Sequence, residues 1–130
     1  MIVGVGIDIV DIARMRLAVE RSPKIIDKIL TEQEQKELDV FCDGKTTSND
    51  VRFIESLSAR FAAKEATVKS LGLSLFTVGL HSIEIKKNND VPYIDFPTHR
   101  TFTKRRLSFT CSLTHSGTTA AAVVIAEYND

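Results

Sequence analysis

Between Val51 and Leu71 the apolar residues Ile54, Leu57, Phe61, Val68 and Leu71 recur at helical spacing and gather on one side. The pattern predicts one long helix, and the rest of the chain has to supply a surface for its stripe. Glu65 lies four residues after Phe61 and three before Val68, so it projects from that same side. A carboxylate among apolar groups needs a cation, hydrogen bonds or a raised pKa. Lys69, one turn on, is a possible counter-charge, and Glu65–Lys69 has the spacing of an ordinary helix ion pair worth about 0.2–0.5 kcal/mol. That pairing does not explain why both residues lie against the stripe. A bound metal ion answers the need better.

A second half of such a site is legible at the N-terminus. Val3, Val5, Ile7 and Ile9 alternate with Gly4, Gly6, Asp8 and Val10, the two-residue period of a strand whose Val/Ile face is expected in a core. Glycine inside a strand often marks close approach by a ligand or another backbone. Asp8 therefore projects from a nearly bare face. If the long helix packs near that face, Asp8 and Glu65 can share one hard divalent ion, with the oxygen ligands and retained waters typical of magnesium. In the alternative, Asp8 ends the strand and starts a turn.

The remaining elements follow from caps and turns. A helix is expected from Asp11 to Glu20, with Asp11 at its cap or first turn. Ser22-Pro23 restarts the chain, and Thr31 with Glu34 forms a capping-box pair for a helix beginning at Glu32. Cys42 to Asp50 reads as a loop, and Gly72 terminates the long helix. Strands are expected at Ser82–Lys87 and Val91–Phe96 around Asn88-Asn89-Asp90, then at Leu107–Thr114 and Thr119–Glu127 around His115-Ser116-Gly117. The basic segment Thr98–Arg106 carries no assignment. Helices mixed with antiparallel hairpins give an α+β class: a long central helix packed with antiparallel β-hairpins in a single compact domain, residues 1–130.

Charge limits the partners. Seventeen basic residues balance seventeen acidic ones, so no overall field draws the chain to nucleic acid or membrane, and an electrostatic partner must meet a local patch. Arg14, Arg21, Lys24 and Lys28 form one such series, which is either a solvated face or a docking surface. The longest apolar run, Ala120 to Ala126, is too short to span a bilayer, and no N-terminal signal pattern is visible. Cys42 and Cys111 lack metal-ligand spacing. Cys111 alternates with core residues and is expected to be a buried thiol, in a reduced, cytoplasmic protein. His81 and His99 read as surface residues. Thr114, His115 and Ser116 sit at a turn with Gly117, where hydroxyls, an imidazole and backbone amides can hold phosphate oxygens or simply meet water.

Three segments together carry a resemblance: VGVGIDIVDIARMR at 3–16, ARFAAKEATVKSLG at 59–72 and SLTHSGTTAAAVVIA at 112–126. Their order and separation resemble the holo-acyl-carrier-protein synthase family of phosphopantetheinyl transferases, as does KIIDKILTEQE at 24–34. The resemblance implies transfer of 4′-phosphopantetheine from coenzyme A to a serine of apo acyl carrier protein, releasing adenosine 3′,5′-bisphosphate. It implies Asp8 and Glu65 as Mg2+ ligands, with Lys69 on the pyrophosphate. Coenzyme A would meet Arg52 and Arg60 through its nucleotide phosphates, Pro92 near the adenine, and Thr114, His115 and Ser116. The basic series would meet an acidic helix of the carrier, and a homotrimer would build its sites at subunit interfaces. Gly72-Leu73-Ser74, Asp90-Val91 and the long 42–50 loop depart from the family pattern. Two other classes remain: a magnesium-dependent hydrolase of nucleotide pyrophosphates, which keeps the Asp8–Glu65 pair, and a non-catalytic nucleotide-binding module, which keeps the Thr114-His115 turn and has no use for Lys69.

Overall fold

The computed structural model describes residues 1–96 and 106–129. The chain runs β1 (Ile2–Asp11), α1 (Ile12–Arg21), α2 (Ile25–Ile29), α3 (Glu32–Phe41), α4 (Val51–Ser70), α5 (Leu75–Val78), a 3-10 turn (Leu80–Ser82), β2 (Glu84–Asn88), β3 (Val91–Asp95), β4 (Arg106–His115) and β5 (Thr119–Asn129). The unassigned basic segment, apart from Arg106, lies outside the described residues, as does His99.

Local chemistry places most element ends. Asp11 caps α1 by accepting from the Arg14 amide at 3.1 Å. Thr31 and Glu34 form the full capping box: the Glu34 amide donates to Thr31 Oγ1 and the Thr31 amide to Glu34 Oε1. Asn89 and Asp90 both take positive φ, the requirement of a tight two-residue hairpin turn. Two boundaries differ from expectation. The Ser22 hydroxyl does not cap the next helix; Ser22 ends α1, and α2 starts at Ile25 without a side-chain cap. Residues 80–82 form the 3-10 turn, so β2 begins only at Glu84.

Helices and two antiparallel sheets form one compact α+β domain. The larger sheet has the order β1-β5-β4, and β2-β3 is a separate hairpin. α4 packs across β1 and β5 and is enclosed on several sides. Phe53, Ile54 and Leu57 join Ile12, Met15, Val19, Ile29, Leu30 and Leu38 of the other helices. Further along, Ala62, Ala63, Ala66 and Val68 meet Ile83, Ile85, Ala122 and Val124. Each large apolar side chain buried this way contributes about 1.5–3 kcal/mol.

The orientation of β1 corrects the sequence reading. Its apolar row faces outward, from Val3 at 40% exposed to Ile9 at 70%. The glycine face is the one that meets α4: a Cβ on Gly4 would collide with the Ser70 carbonyl, and one on Gly6 with the Ala66 carbonyl. The bare face wins because helix backbone can approach only where no side chain stands. Cys111 is half-buried, and Cys42 is the thiol in the core.

Candidate active site

Close β1–α4 contact fixes the first cluster. Gly6 lies under Ala66, so Asp8, two residues along the same strand face, comes beside the neighbours of Ala66 on the helix. Lys69 Nζ donates to Asp8 Oδ1 at 2.9 Å and to the Ile7 carbonyl at 3.1 Å. The i,i+4 pair with Glu65 is not formed; Lys69 turns to the strand. Among the described residues the half-buried Glu65 carboxylate has neither hydrogen bond nor ion pair. Burial, and then the charge of Asp8, push its pKa above the ordinary range, with Lys69 opposing.

Two adjacent carboxylates, one without a partner, are hard oxygen donors suited to a divalent cation. No group of three or more His, Cys, Asp or Glu that could hold a metal occurs among the described residues. The pair therefore fits an ion that keeps several waters and takes further oxygens from a phosphorylated substrate, which is the habit of magnesium.

A second cluster lines a cleft of about 590 Å³ between α3, α4, the β2–β3 hairpin and the end of β4. Arg60, Pro92, Thr114 and His115 all line it, alongside Glu37, Phe41 and Lys87. Arg52 stands at its Phe41 rim, donating to the Phe41 carbonyl at 2.8 Å with its guanidinium 4.4 Å above the ring. Lys87 approaches the same ring at 5.3 Å. Ser116 is not in the lining: its Oγ accepts from the amides of Thr118 and Thr119 and ties the β4–β5 turn.

A family model described as the 4'-phosphopantetheinyl transferase superfamily matches residues 4–125. The chain belongs to that superfamily. It is 37% identical to a holo-[acyl-carrier-protein] synthase of Listeria innocua over 98% of this chain and 99% of the relative. It is 44% identical to the synthase of Anoxybacillus flavithermus over 75% of this chain and 78% of that one. The Bacillus anthracis synthase, crystallised with CoA (3',5'-ADP), superposes with a TM-score of 0.78 at 30% identity, covering 99% of each chain. The Helicobacter pylori synthase in complex with coenzyme A gives 0.76 at 28% identity, covering 95% of this chain and 99% of that one.

For this member of the superfamily, Asp8, Glu65 and Lys69 form one cluster, whereas Arg60, Pro92, Thr114 and His115 form another on a cleft that none of the first three lines. Arg14, Arg21, Lys24 and Lys28 are all exposed, and among the described residues none of them forms a salt bridge. Leu17, 47% exposed, lies between Arg14 and Arg21 on the same face of α1.

Sequence reasoning missed two features. Lys64 is fully buried; its three protons go to Glu34 Oε1 at 2.6 Å and to the carbonyls of Ile29 at 2.6 Å and Leu80 at 3.1 Å. Glu34 also accepts from Arg60 Nη1 and the Ile85 amide, while Arg60 donates to the Ile85 carbonyl at 2.6 Å and to Glu37. Burial pulls the Lys64 pKa down and Glu34 opposes it. This network joins α2, α3, α4, the 3-10 turn and β2, and it holds Arg60 in the cleft wall. The capping box already reserved Glu34, but its long-range partners left no periodic signal. The second feature is Glu55, whose Oε2 lies 2.6 Å from His115 Nδ1. A signal existed there: Glu55, Ala59, Ala62, Ala66 and Ser70 share one helix face, a carboxylate at the end of a stripe of small residues.

Proposed function

We propose that Asp8, Glu65 and Lys69 form the reaction centre of this phosphopantetheinyl transferase, and that the whole chain, 1–130, is one transferase domain. The enzyme moves the 4′-phosphopantetheine group from coenzyme A to a serine of apo acyl carrier protein and releases adenosine 3′,5′-bisphosphate. The observation that carries the assignment of the centre is the meeting of both carboxylates and the ammonium of Lys69 where the glycine face of β1 admits α4.

Asp8 and Glu65 would hold Mg2+, which when bound would neutralise charge on the donor's pyrophosphate. The serine oxygen bonds to the phosphorus that carries pantetheine, the serine proton passes to solvent, and the bridging P–O bond breaks with its electrons on the adenosine bisphosphate. Lys69 neutralises charge on the pyrophosphate as that bond breaks, and fixed positive groups of this kind stabilise phosphoryl transfer with little reorganisation. Arg52, Arg60, Pro92, Thr114, His115 and Ser116 bind coenzyme A; within this group Ser116 acts by shaping the turn that carries His115. Arg14, Arg21, Lys24 and Lys28, exposed and without a salt bridge among the described residues, suit the acidic surface of a carrier protein.

A homotrimer with sites built between subunits is supported by two facts. Two groups of site residues lie apart in one chain. The outward row Val5, Ile7 and Ile9 is continued across the sheet by Ile125, Val123 and Ala121, an apolar face beside Asp8 that favours association. No helix among the described residues is long and apolar enough to cross a membrane, and two free cysteines fit a reduced cytoplasm.

Incubating the chain with coenzyme A, magnesium and an apo carrier protein tests the reading. Phosphopantetheine mass on the carrier supports it, whereas coenzyme A cleavage without transfer makes the chain a hydrolase. Mixing Asp8→Asn and His115→Ala chains, each inactive alone, tests the shared site. Recovered activity after subunit exchange is expected, and none would mean that each chain holds a complete site.

A further inference from the structure

His115 is the last residue of β4, paired in register with Ala120. Its backbone is fixed by the turn beyond it, where the Ser116 amide donates to the Thr119 carbonyl and the Ser116 hydroxyl accepts two amides. Rotation of the side chain is the freedom that remains. Glu55, the fifth residue of α4, removes it: its Oε2 lies 2.6 Å from Nδ1, and its side chain is only 19% exposed. A carboxylate can only accept, so Nδ1 carries a proton, and Nε2 is left facing the cleft that His115 lines. A partly exposed contact of this kind adds little to stability.

We propose that Glu55 is a positioning residue for coenzyme A: it holds the His115 ring with Nδ1–H towards α4, so that Nε2 faces the cleft, the position from which an N–H there reaches a phosphate oxygen of the donor. The assignment rests on the reading of His115 as a donor-binding residue. Glu55 itself does not line the cleft. It acts as the outer partners of ligating histidines do, setting which nitrogen is presented and where. The carrier protein, docked by the basic face of α1, does not sense the change.

The test combines ring chemistry with binding. Nitrogen-15 NMR of the full-length chain is expected to find His115 Nδ1 protonated in the neutral imidazole of the wild type, and the two tautomers mixed in Glu55→Ala. Calorimetry is expected to find coenzyme A bound about tenfold or more weakly by Glu55→Ala, with the KM for the carrier unchanged. Glu55→Gln, which keeps an oxygen to accept from Nδ1–H, should lie closer to the wild type. In a His115→Ala background Glu55→Ala should cost nothing further, because its effect passes through the ring. An equal further loss there, or wild-type binding by Glu55→Ala, overturns the proposal. Wild-type binding by His115→Ala overturns it together with the reading of His115, and so separates the two failures.

Discussion

Replacing Gly6 with alanine tests the link between backbone packing and chemistry. The new Cβ would fall on the Ala66 carbonyl oxygen and well inside contact distance of the Ser70 amide nitrogen. Both are backbone atoms of a helix, so neither can rotate away, and α4 must retreat from β1 by more than an ångström. Overpacking of this kind costs about 1–3 kcal/mol, while alanine returns about 0.4–1 kcal/mol by stiffening the unfolded chain. A net loss of about 1–2 kcal/mol lowers the melting temperature by about 4–8 °C in a chain of this size. The functional loss should be larger. Asp8 is two residues from Gly6, and Glu65 is next to Ala66, so the retreat separates the proposed metal ligands, and misplacement by about 1 Å can cost about a hundredfold in rate. Calorimetry gives the first number and mass-resolved carrier modification the second. Adding Ala66→Gly should rescue neither, since the obstacle is a carbonyl and not a side chain. Gly4→Ala should cost less activity, because its obstacle is Ser70, the last residue of α4. A Gly6→Ala chain that melts and turns over like the wild type would refute the idea that this contact sets the site.

Three further outcomes are expected. Because the folded pKa of Glu65 is raised from 4.5, its ionisation destabilises the metal-free fold as pH climbs from about that value through the raised one. Glu65→Gln should therefore melt at or above the wild type at neutral pH and yet lose transfer. Magnesium at a hundred times its dissociation constant should stabilise the wild type by about 2.7 kcal/mol but not the variant; equal stabilisation of both removes Glu65 from the metal site. Lys64→Met strands the carbonyls of Ile29 and Leu80 and should cost about 3–5 kcal/mol in urea unfolding, with a loss under 1 kcal/mol contradicting the buried network. Reversing Arg14 and Arg21 together to glutamate should raise the carrier's KM, leave that of coenzyme A alone, and matter less at about 0.5 M salt; a wild-type carrier KM at low salt places docking elsewhere.

Features that depend on neighbours in sequence are legible from the order of residues alone. The capping box of Thr31 and Glu34, the Asp11 cap, the Gly72 stop and the alternation of β4 are short-range chemistry, and each stands where spacing puts it. Asp8 and Glu65 are legible too, because a carboxylate on an apolar stripe and another after two bare strand positions are anomalies that packing has to resolve. Tertiary structure decided which face of β1 turns inward. Alternation marks two faces without saying which is covered, and here the contact of glycine with helix backbone outweighs the apolar row, which is left to the outside. It also decided that Lys69 bonds Asp8 instead of Glu65, that Lys64 is buried while Glu65 is not fully so, and that Glu55 reaches His115. Those partners lie tens of residues apart. The free energy of such contacts depends on burial and distance that only the folded chain creates, and no periodicity in the sequence records them.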